Sequence, residues 1–84
     1  MKPRKKKYRQ WTPIEIWWVD AQADESWEFL KDLKTDPMNI RTVGYYLEST
    51  DVDIIIARSQ SCDCGFEGKM QIPWAIIDKI KILR

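Results

Sequence analysis

Hydrophobic and polar positions alternate with period two in several stretches of the chain and follow a helical period in one. Ile14, Ile16 and Trp18 fall on one side of a first strand, with Glu15, Trp17 and Val19 on the other. The alternation returns from Ile40: Val43, Tyr45 and Leu47 share a face and Tyr46 lies opposite, while Gly44 inside the run marks a bulge or a bend. Val52 to Arg58 is the most apolar stretch and predicts a central strand. Lys69 to Ile72 alternates again. In a final strand Ile80 and Ile82 face one way and Lys79 and Lys81 the other. Between the first two strands Trp27, Leu30 and Leu33 recur every three residues, with Phe29 beside Leu33, which predicts a short helix. Asp24 suits its N-cap, Glu25 and Glu28 its first turn, Lys31 and Lys34 its end, and Pro37 stops it. Polar breaks supply the connections: a hairpin turn at Glu48-Ser49-Thr50-Asp51, a loop from Ser59 to Gly68, and a tight turn at Pro73-Trp74-Ala75.

About five short strands with one helix predict a mainly β fold. The antiparallel hairpins and the glycine bend suit a small, partly open barrel, which limits exposed sheet edges. The expected core is Ile16, Trp18, Leu30, Val43, Ile54, Ile56, Ile72 and Ile80. Residues 1–10 have no periodicity and carry six cations, so a basic disordered tail precedes a barrel domain over 11–84.

Length and composition sharpen this. The chain has 84 residues, one domain near the lower limit of independent folding, for which self-association would add stability. Of its 14 basic and 13 acidic residues, six basic ones lie within residues 1–9, which leaves 8 against 13 and a body of net −5 behind a tail of +6. No apolar run reaches the ~18 residues of a membrane span, and Tyr8-Arg9-Gln10-Trp11 stands where a signal peptide would be apolar. A cytoplasmic protein, making no membrane contact, is expected.

The succession Trp18-Val19-Asp20-Ala21, Trp27, Val43-Gly44-Tyr45, Ile54-Ile55-Ile56-Ala57 and Ile72-Pro73 with Ile77, Ile80 and Leu83 resembles small bacteriophage-encoded proteins over roughly residues 14–83. The resemblance implies an SH3-like barrel and a phage accessory role, acting in the host cytoplasm. Val43 to Ile82 is more weakly similar to Sm-like RNA-binding barrels, without the paired Asn and Gly residues by which those hold bases.

The candidate chemistry is that of binding. With no histidine, two cysteines one residue apart and three scattered glycines, the chain offers no imidazole base, no activated thiol and no phosphate-cradling loop, and of its thirteen carboxylates Glu25, Glu28 and Asp32 fit a solvated helix face and Asp51 and Asp53 a turn. No enzyme activity, cofactor or metal site is expected. Cys62 and Cys64 would need a second copy to complete a zinc site, and a disulfide between them would be strained. Trp17 and Trp18 must point to opposite faces, so one is a candidate ligand contact unless the helix covers it, and Tyr45 and Tyr46 pose the same choice. Asp20, after the Trp pair, is either a ligand contact or a partner for nearby backbone N–H groups. Arg41, Arg58 and Lys69 stand out as phosphate contacts in an otherwise acidic body.

The ligand-binding candidates are therefore Trp17, Asp20, Arg41, Tyr46, Arg58 and Lys69. The expected function is stoichiometric capture of a host protein or a host nucleotide signal, an anti-defence role, by a module small enough to gain from forming a homo-oligomer. The alternative is non-specific nucleic-acid binding through the tail, with Lys2, Arg4, Lys5, Lys6, Lys7 and Arg9 on phosphates and Tyr8 and Trp11 stacking on bases. Against it stands a tail that only solubilises or folds back on the acidic body.

Overall fold

The computed structural model describes residues 5–20 and 38–83. Seven strands follow in order: β1 (Pro13–Asp20), β2 (Met38–Ser49), β3 (Asp53–Ala57), β4 (Ser59–Gln60), β5 (Phe66–Glu67), β6 (Met70–Pro73) and, after a 3-10 turn at Trp74–Ile76, β7 (Ile77–Ile82). Five of them form one antiparallel sheet in the order β6-β3-β2-β1-β7. The fold is mainly β, and among the described residues the sheet is not closed, in keeping with a partly open barrel. The predicted helix over residues 24–34 lies outside the described residues, as does Leu30. No helix among the described residues is long and apolar enough to cross a membrane.

The 3-10 turn makes the topology possible. It carries the chain from the β6 edge to the opposite edge, where β7 pairs with β1. Trp74 anchors the turn: its backbone N–H donates to Val52 O and its indole Nε1 to Thr50 O, both at 2.9 Å. Burying an indole is favourable here because its one polar atom is bonded.

The core is built largely from isoleucine. Ile14, Ile16, Ile54, Ile72 and Ile77 are fully buried, joined by Ile56, Ala57, Tyr46 and Trp74. β-branched side chains suit a pleated sheet face, and alternation keeps them on one side of it. Of the expected core, Ile16, Ile54, Ile56 and Ile72 are buried, while Trp18 and Ile80 pack against the cluster half-buried. Trp18 is held by a bond from Nε1 to Thr42 Oγ1 at 2.9 Å.

The expectation for β2 is corrected. Val43 is 56% exposed and Tyr46 only 3% exposed, so the core face of this strand carries Gly44 and Tyr46. Register explains it: Ile14 pairs with Gly44 and Glu15 with Val43, so a buried Ile14 fixes Val43 on the outside. The anticipated irregularity lies beyond Gly44, where the β2–β3 register shifts between Tyr46 and Glu48. Gly44 itself is a close approach. A Cβ there would sit 2.9 Å from the Ala57 carbonyl oxygen and 3.0 Å from Ile56 Cδ1.

Two connections also differ from expectation. Ser59 to Gly68, expected as a loop, contains the β4–β5 hairpin, with Ser59 opposite Glu67 and Gln60 opposite Phe66. The tail, expected to be disordered over residues 1–10, is held at Lys6 and again at Trp11 and Thr12. The Ser49 hydroxyl donates to Lys6 O at 2.6 Å, Trp11 N–H to Tyr46 O at 2.8 Å, and Tyr46 N–H to Thr12 O at 2.9 Å.

Candidate functional site

The face of the sheet opposite the core is where polar chemistry gathers. On β1 it presents Glu15 and Trp17, because Ile14 and Ile16 occupy the other face. Trp17 pairs with Arg41 of β2 on one side and Lys79 of β7 on the other. The indole is thus flanked by two cations in register. The Lys79 ammonium sits 4.8 Å from the ring centroid, within cation–π range. Two residues back, Glu15 lies between Val43 and Lys81. Arg41 Nε stands 3.8 Å from Glu15 Oε1, and the arginine side chain is 67% exposed. A pair this long and this exposed is weak, so it orients the guanidinium without occupying its donors.

Beside Trp17 lies a cleft of about 340 Å³ lined by Trp17, Trp18, Asn39, Ile40, Arg41, Asp78 and Lys79. That is near the lower end of the size of small-molecule sites. It joins an aromatic face to two cations, Arg41 on β2 and Lys79 on β7, with Asp78 also in its lining. Asp20 ends β1 opposite Met38, three residues beyond Trp17.

The remaining sequence candidates are dispersed. Tyr46 is a correction: it is a core residue, its hydroxyl 2.8 Å from Ser49 Oγ, and does not present a ring to a ligand. Arg58 is exposed, but its fork is engaged by Glu67, Nε to Oε1 at 3.0 Å and Nη2 to Oε2 at 2.7 Å. That bond and its charge hold the guanidinium pKa above its ordinary value and Glu67 below its own. Gly68 turns the chain beneath it with a φ of +71°, where a Cβ would lie 2.7 Å from Arg58 Cβ. Lys69 follows, lining a groove with Arg58, and is not among the residues of the Trp17 cleft.

Lys79 is the residue that sequence reasoning missed. Its position opposite Trp17 depends on β7 pairing with β1, a contact between chain segments more than fifty residues apart that local periodicity does not report.

In the tail, Tyr8 packs edge-on against Tyr46 with ring centroids 5.4 Å apart, and Lys6 lies 5.3 Å from the Tyr8 ring centroid. Burial raises the Tyr8 pKa, with a smaller push from neighbouring Tyr46. Lys5, Lys6 and Lys7 line a groove with Glu48, Ser49, Thr50 and Asp51. Arg9 opens a turn, accepting a bond from Thr12 N–H at 3.1 Å. Lys2 and Arg4 lie outside the described residues.

Cys62 and Cys64 are free and exposed at the tip of the β4–β5 hairpin. Asp63, bonded to the Ser61 hydroxyl, has a lowered pKa chiefly through that bond. Among the described residues no group of three or more Cys, Asp or Glu side chains could hold a metal ion.

Together these features define a small mainly β chain with an aromatic, cation-flanked cleft on the outer face of its sheet. Comparison with protein-family models, curated proteins and solved structures finds no match to the chain.

Proposed function

We propose that this chain is a non-enzymatic binding module that captures a planar, phosphate-bearing ligand, a nucleotide, on the outer face of its sheet at Trp17. The observation that carries the reading is the register that flanks one half-buried indole with Arg41 and Lys79. A base stacks on the indole and the phosphate takes the two cations. To admit the base, the Lys79 ammonium leaves the ring. That costs about 0.5–1 kcal/mol at an exposed site. Stacking a base on an aromatic ring contributes about 1–3 kcal/mol, and the freed ammonium gains the phosphate. Arg41 supplies a planar fork suited to two phosphate oxygens.

The resemblance to phage-encoded barrels makes the accessory role a stoichiometric one in the host cytoplasm: sequestering a host nucleotide signal, to the benefit of the phage. Nucleic-acid binding through the tail has less support. Of its two candidate stacking rings, Tyr8 is engaged edge-on with Tyr46.

The test is to incubate the purified protein with a bacterial nucleotide extract, wash it, release the bound fraction by heat and identify it by mass spectrometry. A nucleotide retained by the natural chain and lost from Trp17→Ala supports the reading, with an unchanged melting temperature showing that the variant is folded. Retention of the same nucleotide by the variant overturns it, as does a natural chain that retains none.

A further inference from the structure

A second groove, of about 590 Å³, lies on the same outer face at the other end of β2. From Arg41 to Leu47 the strand advances roughly 20 Å, so this groove is separate from the Trp17 cleft. Leu47, Ile55, Trp11 and Phe66 give it an apolar lining, with Glu48 and Lys69 as its charged members. The two rings stand 6.5 Å apart and are inclined by 56°, so they make a trough rather than a stacked pair. Phe66 is 52% exposed, and Trp11, Leu47 and Ile55 are each half-buried. A contiguous apolar strip of this kind on a polar surface marks an interaction site.

Two further observations say what it takes. The first is backbone strain. Trp11 is the third residue of the turn Arg9–Thr12 and has a φ of +72°, a conformation that a type II turn assigns to glycine. The turn is fixed by bonds from Trp11 N–H to Tyr46 O and from Thr12 N–H to Arg9 O, at 2.8 and 3.1 Å. A bulky residue stands where the backbone φ favours glycine, and its indole lines the groove. The other non-glycine residue with positive φ among those described, Cys64 at +67°, lines the same groove.

The second is charge. The groove shares Glu48 with the adjoining one lined by Lys5, Lys6 and Lys7. Lys69 lines the trough itself, so the two adjoining grooves together carry four lysines against two acids, Glu48 and Asp51. The body as a whole has the opposite balance.

We propose that the Trp11–Phe66 trough is a docking site for an acidic protein segment, which sets an apolar side chain between the two rings and its carboxylates along Lys5, Lys6, Lys7 and Lys69. The apolar anchor supplies affinity in the desolvated trough. The lysines select sign and speed encounter, and they make binding sensitive to salt. The site does not depend on the nucleotide reading, since it shares no residue with the Trp17 cleft.

The test is a calorimetric titration of the full chain with a short peptide carrying a central Phe-Leu pair flanked by aspartates and glutamates. Its counterpart, with lysines in place of the acids, is the control. Binding of the acidic peptide is expected to weaken several-fold between about 50 and 300 mM salt. It should fall at least about tenfold in Trp11→Gly and in Phe66→Ala, and stay unchanged in Trp17→Ala. Trp11→Gly is the decisive variant, because it relieves the positive φ. Its melting temperature should hold or rise while binding is lost. Equal binding of the two peptides, no binding of either, or unchanged affinity in Trp11→Gly overturns the proposal. So does a dimer of the free chain, seen by light scattering and abolished by Trp11→Gly, because a second copy would then occupy the trough.

Discussion

The two faces of the central sheet are made by the same strands and have opposite logic. The inner face is nearly all isoleucine, and its polar atoms are bonded: Trp74 to Thr50, Trp18 to Thr42, Tyr46 to Ser49. The outer face places Trp17, Arg41, Lys79 and Glu15 side by side with loose partners. Trp17 and Trp18 are adjacent in sequence, yet one belongs to each face. The strand's period of two thus separates stability from recognition residue by residue. Substitutions on the inner face should move stability, and those at Trp17 should move binding alone.

The largest difference is expected between equivalent truncations. Ile14→Ala opens a cavity in the core and should cost about 2–5 kcal/mol, whereas Val43→Ala on the outer face, beside Glu15, should cost about 0.5 kcal/mol or less. Urea denaturation of the two variants checks it, and equal losses would erase the distinction between the faces. Gly44→Ala comes next. Its new methyl meets the Ala57 carbonyl oxygen at 2.9 Å, so β2 and β3 must separate there, at about 1–3 kcal/mol. Tyr46→Phe keeps the packing and removes the bond to Ser49, worth about 0.5–1.5 kcal/mol by the same assay. The smallest effect concerns the β4–β5 hairpin. Glu67 has its pKa lowered by Arg58 from an ordinary 4.5, so its contribution to the hairpin is present above pH 4.5 and is lost as the pH falls through the depressed value. The Arg58 Nε–H resonance should follow that loss in an NMR titration, and Glu67→Gln should abolish the dependence.

Much of the inner face was legible in the sequence. Ile14, Ile16, Ile54, Ile56 and Ile72 declare themselves by alternation, and the turns after β2 and β6 by their polar or proline residues, although Glu48, Ser49 and Pro73 still pair as strand residues. β2 was not, because Val43, Tyr45 and Leu47 make the more apolar set. The strand nevertheless buries Tyr46, whose hydroxyl finds Ser49, and Gly44, whose lack of a side chain admits the Ala57 carbonyl. Hydrophobicity alone ranks these two below valine, so only the register with Ile14 reveals the true face. Trp74 was hidden for a similar reason: its burial depends on the acceptor at Thr50, 24 residues away. Of the candidate site, Trp17 and Arg41 were legible as an unplaced indole and an isolated cation. That they meet, and that Lys79 completes the set, follows from pairings between distant strands. Arg58 was misjudged for want of its neighbour, since Glu67 faces it only across a hairpin that reads as a polar loop.

The central claim is that the outer face at Trp17 is the ligand face. It is tested most directly by labelling the five tryptophans with 5-fluorotryptophan, assigning the resonances by single substitution, and titrating the protein with linear and cyclic purine nucleotides under ¹⁹F NMR. The Trp17 resonance is expected to move, saturably, while that of Trp74, buried in the inner face, stays in place. A nucleotide that binds and shifts Trp74 but leaves Trp17 unmoved, or a Trp17 resonance that no purine nucleotide shifts, would contradict that claim.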